Sequence, residues 1–215
     1  PMFIYTASHD HNICVWNTRT GICCAVLQDH SNIITALLLL KSTQKRTDQS
    51  LNQSQDGTTS DTSHTSLLIS ASYDKTIKFW DINSHKCVRT INESTWILTM
   101  LLHPLNNALI ISTYDGSVKI FNLENPKSKP QIIDCYCASG HVKRIVSLCV
   151  FETTLYTASF DCSIRTWDIK SGKPLPYIFL CKFPITSIRI GTQGNHLFAS
   201  QANEIESWNL NKLHK

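Results

Sequence analysis

The fold is decided by one stretch, residues 139–173, which reads SGHVKRIVSLCVFETTLYTASFDCSIRTWDIKSGK. Apolar and β-branched residues form runs of strand length in it, and one more run follows directly after it. These runs predict four strands, at residues 144–151, 155–159, 163–169 and 174–180. The connections between them are short and suit hairpins, so strands that are neighbours in sequence are expected to pair.

The first of these strands is apolar on both of its faces, as the residues RIVSLCVF at positions 144–151 indicate. A strand that is half exposed alternates apolar and polar residues, whereas an unbroken apolar run is typical of burial on both sides. The stretch therefore predicts a small antiparallel sheet that lies between two neighbouring layers.

The same stretch carries four polar groups at the offsets of a known repeat. Gly140-His141, Thr157-Ala158-Ser159 with Asp161, and Trp167-Asp168 resemble the WD repeat, the blade unit of β-propellers. The resemblance implies a hydrogen-bonded tetrad of His141, Thr157, Asp161 and Trp167. The chemistry fits, because an indole only donates, a carboxylate only accepts, and hydroxyl and imidazole groups link them.

Two earlier segments repeat this signature. Residues 3–17 carry Thr6, Asp10 and Trp16, and the expected inner strand and histidine are missing there, so we expect a fragment of a longer chain. In the second repeat the resemblance implies a tetrad of His30, Ser70, Asp74 and Trp80. Residues 41–65 interrupt that repeat with eleven Ser or Thr and a single large apolar residue, which predicts a disordered insertion.

The third and fifth repeats are degenerate. Ile111 and Phe121 replace the hydroxyl and the tryptophan of the third, while Trp208 anchors the fifth. Successive Trp or Phe anchors are 64, 41, 46 and 41 residues apart, the first interval containing the insertion. The prediction is an all-β, partial WD-repeat propeller of about five four-stranded blades, the first and last incomplete. Their predicted boundaries are 1–28, 29–91, 92–137, 138–181 and 182–215.

Composition narrows the class of protein. The net charge of +4 is spread along the chain, without a basic run that would indicate a nucleic-acid surface. The longest apolar runs are too short to cross a bilayer, so no membrane association is expected. Nine cysteines and no secretion signal favour a reducing compartment, the cytoplasm or nucleus.

In a four-stranded blade, the turn between the second and third strands lies on the same face as the loop that enters the blade. We call this the entrance face. The residues just before each turn aspartate are mostly aromatic, and exposed aromatic rings are typical anchors of binding interfaces. The partner-binding candidates on this face are His9, Tyr73, Tyr114 and Phe160, with Asn32, Lys143 and Arg144 as a polar rim. The alternative is that the rings pack on neighbouring blades and stiffen the turns.

Catalysis and metal binding are not expected. His9-Asp10-His11 with Cys14 has metal-ligand residue types, but Asp10 already belongs to the repeat and Cys14 lies on the third strand, so the side chains need not converge. Cys135 with Cys137 is better explained by strand packing. The His, Asp and hydroxyl sets copy the composition of a hydrolase triad, yet here they clamp strands together. No phosphate-binding glycine loop is present in the sequence, so no cofactor or small-molecule substrate is expected.

The resulting hypothesis is a non-catalytic scaffold that binds a protein or peptide through its entrance face. One alternative is a substrate-receptor subunit of a ubiquitin ligase, which would need an adaptor-binding segment. A second, from another class, is an RNA-binding protein that pairs WD repeats with zinc fingers, for which the diffuse basic charge is weak support.

Overall fold

The computed structural model describes residues 2–40, 66–103, 107–125, 128–135 and 140–212. Over these residues it contains eighteen β-strands and one short 3-10 helix. The predicted disordered insertion, 41–65, lies outside the described residues.

The strands form five antiparallel sheets, each built from strands that are consecutive in sequence. Blade 1 is β1 Phe3–Ala7, β2 Asn12–Asn17 and β3 Cys23–Gln28. Blade 2 is β4 Ile34–Leu40, β5 Leu67–Ser72, β6 Thr76–Asp81 and β7 Cys87–Asn92. Blade 3 is β8 Ile97–Leu102, β9 Ala108–Thr113, β10 Ser117–Asn122 and β11 Gln131–Asp134. Blade 4 is β12 Ile145–Phe151, β13 Thr154–Ser159, β14 Ser163–Asp168 and β15 Pro174–Leu180. Blade 5 is β16 Ser187–Ile190, β17 His196–Ser200 and β18 Ile205–Asn209, followed by the 3-10 helix Leu210–Lys212.

The blades are arranged side by side around a common centre. The first strands of blades 2 to 5, which are β4, β8, β12 and β16, are neighbours in that order, and β1 of blade 1 lies beside β4. The architecture is therefore an all-β, partial propeller of five blades, of which blades 2, 3 and 4 have four strands and the two outermost have three.

Apolar side chains fill the space between each pair of blades. One cluster joins blades 1 and 2, and three more join blades 2 and 3, 3 and 4, and 4 and 5. Adjacent residues of one strand belong to different clusters: Leu155 faces blade 3, whereas Tyr156 faces blade 5. This alternation follows from the two-residue period of a strand and confirms that the sheet is buried on both faces.

In the degenerate third blade, apolar packing replaces the hydroxyl and the tryptophan of the tetrad. Ile111 is fully buried in the cluster between blades 2 and 3, and Phe121 packs against the same cluster. An apolar pair at these positions leaves no buried hydroxyl or indole donor that would need a partner.

Candidate functional site

A chain of hydrogen bonds runs through blade 4, from the third strand to the blade entrance. Trp167 Nε1 donates to Thr157 Oγ1 over 2.8 Å, and Thr157 Oγ1 lies 2.7 Å from His141 Nε2. His141 Nδ1 lies 2.9 Å from Asp161 Oδ2. Together these bonds tie the loop before β12 to the two middle strands, β13 and β14. His141, Thr157 and Trp167 are almost completely buried, so water does not compete for the bonds.

Blade 2 contains the same chain. Trp80 Nε1 donates to Ser70 Oγ over 2.8 Å, Ser70 Oγ lies 2.6 Å from His30 Nε2, and His30 Nδ1 lies 2.7 Å from Asp74 Oδ2. The indole can only donate, so the serine hydroxyl donates onward to Nε2 and the Nδ1 hydrogen goes to the carboxylate. Each polar hydrogen in this chain of hydrogen bonds therefore has an acceptor when the imidazole is neutral.

The ionisation of this network follows from its burial. Desolvation lowers the pKa of His30, which keeps its imidazole neutral at neutral pH. Burial alone would raise the pKa of Asp74, but hydrogen bonds from Thr76 and His30 outweigh it and hold that pKa below its ordinary value. The pKa of Asp161 is lowered for the same reasons, with Ser163 in the place of Thr76.

Blades 1 and 3 carry only parts of the network. In blade 1, Trp16 Nε1 donates to Thr6 Oγ1 over 2.8 Å at an exposed position. In blade 3, Asp115 accepts bonds from Thr113 Oγ1 and Ser117 Oγ within its own turn. A carboxylate in such a turn also accepts the backbone N–H two residues later, as Asp10, Asp74, Asp115 and Asp161 all do.

These turns present the residue before each aspartate at the entrance face. Tyr73, Tyr114 and Phe160 also donate their backbone N–H to the carbonyls of Ile33, Trp96 and Arg144, respectively. Since the backbone is bonded on both sides of each turn, the backbone that carries the three aromatic rings is held in a fixed position. A rigid loop loses little conformational entropy when it binds a partner.

Three aromatic rings form a continuous row across blades 2 and 3. The ring centroids of Tyr73 and Trp96 are 5.2 Å apart at 24°, and those of Trp96 and Tyr114 are 5.0 Å apart at 58°. Trp96 is 42% exposed and Tyr114 is 51% exposed. The rings therefore contact one another and still offer apolar surface to the solvent; we call these three residues the aromatic row.

A cavity of about 450 Å³ adjoins the row between blades 3 and 4. It is lined by Tyr114, Lys143, Arg144 and Phe160. The guanidinium carbon of Arg144 lies 4.2 Å from the centroid of the Phe160 ring, which is the geometry of a cation–π contact. Five of the seven candidates named from the sequence thus lie in the row or around the cavity.

His9 and Asn32 have different surroundings. His9 is exposed at the turn of blade 1, and among the described residues it makes no ring contact with the row. Asn32 Oδ1 accepts the N–H of Ile33, so this side chain caps its own loop. The sequence pattern did not indicate Trp96, because this residue precedes a strand and is not followed by a turn aspartate. Its position directly before the first strand of blade 3 corresponds to that of Ile33 in blade 2 and Arg144 in blade 4, and this correspondence could have identified it.

Two reactive side chains of blade 4, Cys149 and Tyr156, are buried. Burial raises the pKa of the Cys149 thiol and of the Tyr156 phenol to about 12 in each case, which keeps both groups protonated.

Within the described ranges, no three His, Cys, Asp or Glu residues are grouped so as to hold a metal ion. Cys137 of the Cys135 pair lies outside those ranges. In the same part of the chain, the structure contains no helix with the length and apolar content needed to span a bilayer.

A protein-family profile matches three segments of this chain. The profile described as WD domain, G-beta repeat (WD40) matches residues 49–81, 85–122 and 134–168. The second of these segments covers β7 of blade 2 and the first three strands of blade 3, the degenerate repeat.

Curated relatives share part of their length with this chain. Periodic tryptophan protein 2 of Arabidopsis thaliana is 24% identical over 94% of the chain and 20% of its own length. Target of rapamycin complex subunit LST8 of Mus musculus is 26% identical over 69% of the chain and 45% of its own length. WD repeat-containing protein 1 of Xenopus tropicalis is 31% identical over 49% of the chain and 18% of its own length. The chain therefore spans less than half of the length of each of these relatives.

Proposed function

Because this chain belongs to the WD-repeat family, we propose that it is a non-catalytic scaffold that binds a protein or peptide through its entrance face. The observation that carries the proposal is the aromatic row together with the adjoining cavity. These features span three blades and combine exposed rings, two cations and backbone-anchored turns. Aromatic and arginine side chains in such a setting supply most of the binding energy in protein interfaces.

The relatives support the proposal at a coarse level. LST8 is by its name the subunit of a complex, and it is 26% identical to this chain over 69% of the chain's length. The substrate-receptor role in a ubiquitin ligase remains a hypothesis without a supporting contact. The thiols of seven described cysteines are free, namely Cys14, Cys23, Cys24, Cys87, Cys149, Cys162 and Cys181. On this ground we propose a reducing compartment, the cytoplasm or nucleus, as the site of action.

Affinity purification with quantitative mass spectrometry tests the proposal. The baits are the wild-type protein, a Trp96→Ala/Tyr114→Ala variant and a Phe198→Ala control, whose ring is 41% exposed on β17. We expect a set of proteins that wild type and control retain and the double variant loses. An identical set from all three baits, with all three folded, would contradict binding through the entrance face.

A further inference from the structure

The cations of the cavity lack acidic partners. Lys143 and Arg144 are both exposed, and over the described residues neither forms an ion pair. The cation–π contact to Phe160 covers one face of the Arg144 guanidinium. The N–H groups at the edge of a stacked guanidinium stay available, and they form a planar fork that matches a carboxylate.

The acidic groups nearby are already engaged. The Asp161 carboxylate accepts bonds from His141, Ser163 and the Val142 N–H. Asp115 is bonded to Thr113 and Ser117 within its turn, and Glu93 is paired with Lys119. These carboxylates keep their charge, but their oxygens are hydrogen-bonded within the blades. The charged groups that remain open to a ligand at the cavity are therefore the two cations, with the exposed Lys75 and Lys182 on the same face.

The positive cavity is continuous with the apolar surface of the row, because Tyr114 belongs to both. We propose that this site binds an acidic peptide segment, with a carboxylate at Arg144 and Lys143 and a neighbouring aromatic or aliphatic side chain on Tyr114 and Trp96. This proposal rests on the proposed function and specifies the chemistry of its partner.

Two other ligand classes fit less well. A basic peptide would bring a like charge against two uncompensated cations, which is unfavourable for binding. A nucleic-acid strand could stack its bases on the rings, but it needs cations spaced along its backbone. The two cavity cations are adjacent in sequence and serve one anionic group, so an acidic side chain is the better match.

Selection from a phage-displayed library of random 12-residue peptides tests the proposal directly. The targets are the wild-type protein, the Trp96→Ala/Tyr114→Ala variant, Arg144→Ala, Arg144→Glu and the control Arg19→Ala. The control removes an exposed arginine from the β2–β3 loop. This loop lies on the opposite face, because β2 and β3 correspond to the third and fourth strands of a complete blade. We expect wild-type binders to be enriched in Asp or Glu next to an aromatic or aliphatic residue. Arg144→Ala should weaken them about tenfold or more, since a hydrogen bond to a charged group is lost. Arg19→Ala should leave their affinity unchanged, and Arg144→Glu should abolish their binding.

The outcomes separate this proposal from the one on which it rests. Binders that need Trp96 and Tyr114 but show no acidic enrichment and no response to Arg144→Ala would overturn the acidic-peptide proposal and leave the entrance-face function standing. Binders insensitive to all entrance-face substitutions would overturn both. The third outcome concerns a 20-nucleotide oligo(U) RNA. If this RNA displaces the selected peptides, and if its own affinity depends on Arg144 and falls steeply with salt concentration, the ligand is RNA and the acidic-peptide proposal is overturned.

Discussion

The indole of Trp96 stacks on the ring of Tyr73, with 5.2 Å between the two centroids. Trp96 stands directly before the first strand of blade 3, and Tyr73 lies in the turn after the second strand of blade 2. The contact therefore joins two blades, as the packing interpretation of these rings expects. Because 42% of Trp96 remains exposed, the same ring can also serve as a binding surface.

The stability of two tryptophan variants separates these roles. Trp80 is 2% exposed inside the tetrad of blade 2, so Trp80→Ala should lower the free energy of unfolding by about 3–5 kcal/mol. Trp96→Ala loses two aromatic contacts at the surface and should cost only about 1–2 kcal/mol. Urea denaturation followed by circular dichroism measures both. Equal losses would mean that Trp96 is chiefly a structural residue.

The sequence predicted those parts of the fold that repeat. Strands of blade 4 were placed within one residue of their observed ends, since each is an apolar run bounded by turn residues. Trp96 and the Glu93–Lys119 pair were missed for a common reason. Each gains its role from a residue on another strand or blade, and in a degenerate repeat no fixed offset indicates which residues meet.

Removing the central hydroxyl of a tetrad should be costly. Ser70→Ala deprives both Trp80 Nε1 and His30 Nε2 of their partner in a buried site. Each buried group left unpaired costs about 1–3 kcal/mol, so we expect a total loss of roughly 2–6 kcal/mol in unfolding free energy. Ser84→Ala is the control, because Ser84 bonds Asp81 in an exposed loop and its loss should change stability by less than about 0.5 kcal/mol. Similar values for the two variants would show that the tetrad hydroxyl is dispensable.

Stability should decrease as the pH is lowered, in two stages. The pKa of His30 lies below its ordinary 6.5, so the unfolded chain takes up the proton first and stability falls as the pH drops below about 6.5. The lowered pKa values of Asp74 and Asp161 stabilise the fold above their ordinary 3.8, and that contribution is lost as the pH falls below it. Urea midpoints measured from pH 7.5 to pH 3 check both stages. His9→Gln, at an exposed turn, should leave the profile unchanged, whereas stability that rises between pH 7 and pH 5 would refute the neutral-imidazole network.

The two lysines at matching positions of blades 2 and 3 should respond differently to loss of their partners. Lys119 pairs with Glu93, and both side chains are buried, with 13% and 5% of their surface exposed. Glu93→Gln leaves the ammonium group of Lys119 without a counter-charge in a site that water scarcely reaches, so we expect a loss of roughly 3–5 kcal/mol. Lys78 pairs with Asp29 over 2.7 Å, but the Asp29 side chain is 49% exposed. Water can replace that carboxylate, and Asp29→Asn should therefore cost at most about 1 kcal/mol. Both values come from chemical denaturation at neutral pH, and a Glu93→Gln protein as stable as Asp29→Asn would mean that Lys119 reaches solvent once its partner is gone.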